Sequence, residues 1–181
     1  MKNRILFRPK VQLGASLLEV LIAIVIMSFG LLALGGLTAA SIQYGKMAQF
    51  QTVGVQLASD ITDRMRANVD GFMLNSYNNV AVYAPNVASI TVPTCSVSAK
   101  CSPTELAAID LAEWRNSLRL GLPGGDAYIL RDAATPLTVD VWVMWTDPAL
   151  GNGIAANSAC PAAAIAGLTD LPKCLYFRAA I

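Results

Sequence analysis

One carboxylate and four thiols are the residues of this chain with the clearest chemical potential. Glu19 stands in Leu17-Leu18-Glu19-Val20-Leu21 with apolar neighbours on both sides, and Val20 to Ala40 continues for 21 residues without a charge. A carboxylate at the centre of a membrane span costs about 2.5–3.5 kcal/mol on insertion scales and less near an edge, so a residue of this kind marks a function. Cys95, Cys101, Cys160 and Cys174 all follow that run, and an even number of thiols pairs readily in an oxidising compartment. Histidine is absent, which excludes Ser-His-Asp and Cys-His nucleophilic sites and the HExxH zinc motif. The cysteine spacings, five and thirteen intervening residues, lack the close pairs of a zinc site. The sequence therefore predicts no enzyme, no cofactor and no metal.

A helix across the apolar run would span about 30 Å, the thickness of a bilayer's hydrocarbon core. Apolar residues make up 55 % of the 181, and this run is richer in them than the chain as a whole. Lys2, Arg4, Arg8 and Lys10 precede it without a compensating acid, and they account for the net charge of +1, the remainder standing at −3 from 9 basic and 12 acidic residues. That balance speaks against a nucleic-acid-binding body. Basic residues before a span hold that end in the cytoplasm, which places the residues after Ala40 on the far side. A cleaved secretory signal has a shorter apolar core, about 7–15 residues, and a plain anchor gives Glu19 no reason to exist.

Gly14-Ala15-Ser16-Leu17-Leu18-Glu19-Val20-Leu21-Ile22-Ala23, behind a short basic leader, resembles the processing motif of type IV prepilins. The resemblance implies a leader, residues 1–14, removed after Gly14 by a prepilin peptidase and N-methyltransferase. Ala15 would then be the methylated terminus, where the family usually has phenylalanine, and Glu19 the fifth mature residue. The physical logic stands beside the family. Cleavage leaves a cationic amine at a helix N-terminus, Glu19 lies four residues on along the same face, and a carboxylate is favoured near that end. Pairing of Glu19 with the amine of a neighbouring subunit would set axial register during assembly.

No proline occurs between Pro9 and Pro85, and Phe50, Val53, Leu57, Ile61 and Met65 form a stripe at gaps of three and four. Asp60 and Arg64 add an acidic-first pair at i,i+4. The expectation is one helix over residues 15–68, transmembrane over about 17–40 and amphipathic beyond. Gly30, Gly35 and Gly36 read either as close helix-packing positions or as ordinary glycines of a span.

Residues 69–181 read as an external domain. Asn75 to Lys100 shows little periodicity and predicts an irregular connection. Ser102-Pro103-Thr104-Glu105 is a capping box, and Ala107, Leu111, Trp114 and Leu118 give a core-facing helical stripe that ends at Gly121, Pro123 and Gly124. The glycines from Gly121 to Gly125 read as a hairpin-like turn rather than a phosphate loop. Strands are expected over Ala127–Arg131, Leu137–Trp145 and Leu175–Arg178. The middle one alternates, with Leu137, Val139, Val141, Val143 and Trp145 on one face and Thr138, Asp140, Trp142 and Met144 on the other. Trp142, Trp145 and Tyr176 read as core or interface aromatics. Four cysteines permit three pairings, of which Cys95 with Cys101 and Cys160 with Cys174 is favoured, the second closing an alanine-rich loop.

Helix, glycine turn and strands, in DLAEWRNSL, LPGGDAYIL and LTVDVWVMWTD, resemble the body of minor pilins of the PilV type. The fold expected is α+β and type IV pilin-like, a long N-terminal helix packed on a small antiparallel sheet with a second short helix. The resemblance implies a minor pilin acting in type IV pilus assembly, initiation or at the tip. Its partners would be the prepilin peptidase and methyltransferase, other minor pilins and the major pilin, the inner-membrane assembly platform and the membrane. It would sit in the inner membrane with its external domain in the periplasm, and in the pilus after assembly. Two other readings remain at this stage, a minor pseudopilin of a type II secretion system and a membrane-tethered adhesin or binding domain that never assembles.

Overall fold

The computed structural model describes residues 16–86, 89–97, 100–146 and 159–181, so the leader, Gly14 and Ala15 lie outside the described residues. Helix α1 runs unbroken from Leu17 to Ala67. A five-residue helix α2 (Val69–Met73) and a longer α3 (Pro103–Gly121) follow, then strands β1 (Asp126–Arg131), β2 (Thr138–Trp145) and β3 (Lys173–Ala180). The strands form an antiparallel meander in the order β1-β2-β3, with Tyr128 opposite Trp142 and Trp142 opposite Tyr176. The architecture is α+β. Residues up to Gln43 form one compact unit and Tyr44–Ile181 another.

Within the second unit the core lies between α1, α3 and the inner face of the sheet. Ala58, Ile61 and Met65 of α1, Trp114 and Leu118 of α3, and Ile129, Val139, Val141 and Val143 of the sheet are fully buried there. Phe50, Val53 and Leu57 of the predicted stripe pack against its margin. The sequence stripe omits Gly54, although it is buried: a Cβ on it would come within 3.2 Å of Leu175 and 3.7 Å of Trp145. A glycine that costs helix propensity thus lets α1 approach the sheet closely. Trp114 directs its indole N–H to the Leu57 carbonyl at 2.7 Å.

Asn68 breaks α1 from α2. Its side chain accepts from Gly71 N at 3.2 Å and donates to Pro103 O at 2.8 Å, tying the break to the start of α3. Beside it Tyr77 donates to Asp110 at 2.5 Å, and Arg64 spans Asp60, Asp110 and Glu113 at 3.0–3.3 Å. Burial and the Asp110 bond push the Tyr77 hydroxyl up from its ordinary pKa, so it stays a donor at all physiological pH. Helix α3 begins with the reciprocal capping box of Ser102 and Glu105.

The segment from Asn75 to Lys100 is irregular over its described residues, as expected, but it is not without a packing role: Tyr77 and Tyr83 are buried, and Asn79 forms a single backbone bridge with Ile129 of β1. Lone aromatics in a non-periodic stretch leave no pattern to read, and their burial depends on distant partners. Two expectations require correction. The glycine turn is not a hairpin but the joint between α3 and β1, where Gly124 takes φ +60° and a Cβ on Gly125 would overlap the Leu118 carbonyl. Leu137 precedes β2 and is 52 % exposed, outside the core face assigned to it.

Gly125→Ala should therefore destabilise the body by about 1–3 kcal/mol, whereas Gly36→Ala, with nothing within 4 Å, should not. Denaturant unfolding of the full chain in detergent, followed by tryptophan fluorescence, measures both.

Candidate functional site

The start of α1 is built from Ser16 and Glu19. Ser16 Oγ accepts from Leu18 N at 3.4 Å, and the Ser16 carbonyl accepts from Glu19 N at 2.9 Å and Val20 N at 3.2 Å. Ser16 therefore caps the helix, and Glu19 is the acid of its first turn. The sequence reading missed this role of Ser16. The signal was present, because Ser16-x-x-Glu19 has the spacing of the capping box found at Ser102 and Glu105.

Glu19 is the only ionisable residue between Leu17 and Gln43. Around it the side chains point outward without partners: Leu17 is 90 % exposed, Phe29 70 % and Leu32 74 %. The hydroxyls inside the run are satisfied by the helix itself, Ser28 on Ile24 O at 2.7 Å and Thr38 on Gly35 O at 2.8 Å. That is the requirement of a helix placed where no water can serve its polar groups. This is one helix long and apolar enough to cross a membrane. Gly30, Gly35, Gly36 and Gly45 have open space where a Cβ would stand. Tyr44 and Lys46 follow immediately, the residue types found at a membrane–water boundary.

Comparison of the chain with family models, curated proteins and solved structures finds no match.

Away from that helix, the cysteines form two local loops, Cys95 with Cys101 and Cys160 with Cys174, with Cα–Cα separations of 5.1 and 5.2 Å. The first loop sits against the start of α3, where Ser96 N donates to Glu105 at 2.9 Å. The second lies over the outer face of the sheet. There Ala164, Cys174, Met144, Tyr83 and Tyr128 form a second, smaller core. Met144 thus has no solvent exposure although strand alternation puts it on the non-core face. Tyr128, Trp142 and Tyr176 stand abreast across the three strands on that face, with ring centroids 5.7 and 5.1 Å apart. Trp145, by contrast, faces inward and is 2 % exposed. Among the described residues no group of three or more potential metal ligands converges.

Two half-buried carboxylates are held well below the usual range. Hydrogen bonds from Ser96 and then Ser102 keep Glu105 at about 2, and bonds from Thr135 and Ala134, with Arg178 nearby, keep Asp132 at about 2. A depressed folded pKa contributes stability above the unfolded value and loses it as the pH falls toward the folded one. For Glu105 that window runs from its ordinary value of 4.5 down to about 2. Between those limits the parent should lose stability more steeply than Glu105→Gln, as urea midpoints measured against pH will show.

Proposed function

We propose that this chain is a minor pilin-like subunit, anchored by α1 in the inner membrane with its body in the periplasm, and assembled into a type IV pilus after removal of residues 1–14. The observation that carries this reading is the lone carboxylate Glu19 in the first turn of α1, five residues after Gly14, at the head of a stretch to Gln43 that is otherwise uncharged, apolar and outward-facing. A simple anchor has no use for such a group, whereas a helix that leaves lipid to pack among other helices does. In the membrane the carboxylate lies near the edge of the apolar run, where the cost is lowest and the helix N-terminus offsets part of it. In a helix bundle, the cationic amine freed at Ala15 of a neighbour would supply the counter-charge. Prepilin peptidase and methyltransferase, other pilins and the assembly platform are the partners this reading implies.

The body suits the same role. Its α1 segment is docked by Gly54, Ala58 and Ile61, so the surface offered to neighbours is on a rigid support. Among the described residues of that body, Leu120 at the end of α3 is the most exposed large apolar side chain, at 91 %.

Intact mass and N-terminal sequencing of the membrane-extracted protein test the processing step. The expected chain starts at Ala15, and a chain starting at Met1 in cells that hold the peptidase overturns the proposal. Glu19→Ala should leave membrane insertion unchanged while lowering incorporation into sheared filaments at least roughly tenfold, because breaking one desolvated ion pair costs about 3–5 kcal/mol, more than a tenfold change requires. Unaltered incorporation would remove the register role from Glu19.

A further inference from the structure

The two cores of the body have different attachments. The inner core is made of α1, α2, α3 and the inner faces of the strands, and it includes no residue of the loop 160–173. The outer core depends on that loop. Ala164 is fully buried in it and Leu168 partly so, over Tyr128, Met144 and Tyr83. One backbone bond reaches from the loop to another segment among those described, Tyr83 N to Ala164 O at 2.8 Å. The loop's own bonds are short-range turns, Ala164 N to Pro161 O and Leu168 N to Ile165 O. Ordering a dozen backbone residues costs about 12–24 kcal/mol, more than burying Ala164 and Pro172 and parts of Pro161, Ile165 and Leu168 returns. Covalent closure at Cys160–Cys174 must carry the balance by removing the freedom of the open loop.

We propose that Cys160–Cys174 is a thiol-operated latch: reduction releases the loop 160–173 as a local unit and uncovers Tyr128 and Met144, while the inner core stays folded. This inference stands apart from any role of α1. Cys160 is half-buried and Cys174 nearly fully buried, so Cys160 Sγ is the sulfur open to attack. A thiolate of a dithiol reductant attacks it, the S–S pair departs on Cys174 Sγ, and that sulfur takes up a proton. The second thiolate then attacks the mixed disulfide, closes the reductant into its own disulfide and returns Cys160 as a thiol. The protein gains two electrons and two protons, and the dithiol loses them. Once open, the loop has nothing to hold Ala164 in place, so the Tyr83 amide loses its acceptor.

The test is amide hydrogen exchange on the full chain in detergent micelles, in a Cys95→Ser/Cys101→Ser background, before and after dithiothreitol. Thiol counting by alkylation establishes complete reduction. The expected result is exchange at Tyr83 and across residues 161–171 faster by roughly tenfold or more, with α3 amides from Leu111 to Leu118 changed by less than about twofold. Unchanged exchange at Tyr83 in the fully reduced chain overturns the latch. Loss of protection in α3 together with the loop overturns it too, because opening would then be global unfolding. The Cys160→Ser/Cys174→Ser chain should show the reduced pattern without dithiothreitol, and an oxidised-like pattern in it would be equally fatal.

Discussion

The body depends most on one buried contact, the indole of Trp114 against the backbone of α1. Trp114 has no solvent exposure, and its single donor reaches the carbonyl of Leu57 at 2.7 Å. Without that bond a buried N–H would be left unpaired at a cost of about 1–3 kcal/mol, which the Leu57 carbonyl removes. The contact sets where α3 crosses α1. One and two turns further along α1, Ile61 and Arg64 meet the same helix, the first in the core and the second through Asp110 and Glu113. The sheet then covers what remains of both helices, with Gly54 allowing Leu175 and Trp145 to close over α1.

Where burial follows a period, the elements were legible in the residues. Gaps of three and four marked the docked part of α1 and most of α3, alternation marked β2, and Ser102 and Glu105 marked where α3 begins. The errors arise where small or solitary residues do the packing. Gly54, Ala58 and Thr62 are buried beside the larger stripe, and Ala112 is more buried than Leu111 because proximity to a neighbour, not size, decides which face is covered. Tyr77 and Tyr83 owe their burial to Asp110 and to the Gly124 carbonyl, groups that lie 33 and 41 residues away along the chain. No local pattern encodes such partners.

At the start of α1 the charge in an apolar run was plain from the sequence, and so was the glycine before it. The capping role of Ser16 was written in the same few residues but is overshadowed by the stronger signal of Glu19. Both describe one physical fact, a helix N-terminus whose free amide groups and positive end need acceptors and a negative charge. Glu19 therefore serves its own helix before it serves any neighbour.

Strand β2 is buried on both sides, by the helices through Val139, Val141 and Val143 and by the cysteine loop through Met144. It works as a bulkhead between two compartments of unequal importance. Side chains of the outer compartment can be exchanged, enlarged or rearranged with little transmitted to α1, because no residue among those described belongs to both cores. The chain can thus change what it displays on its exposed side while the way it grips its own long helix stays the same.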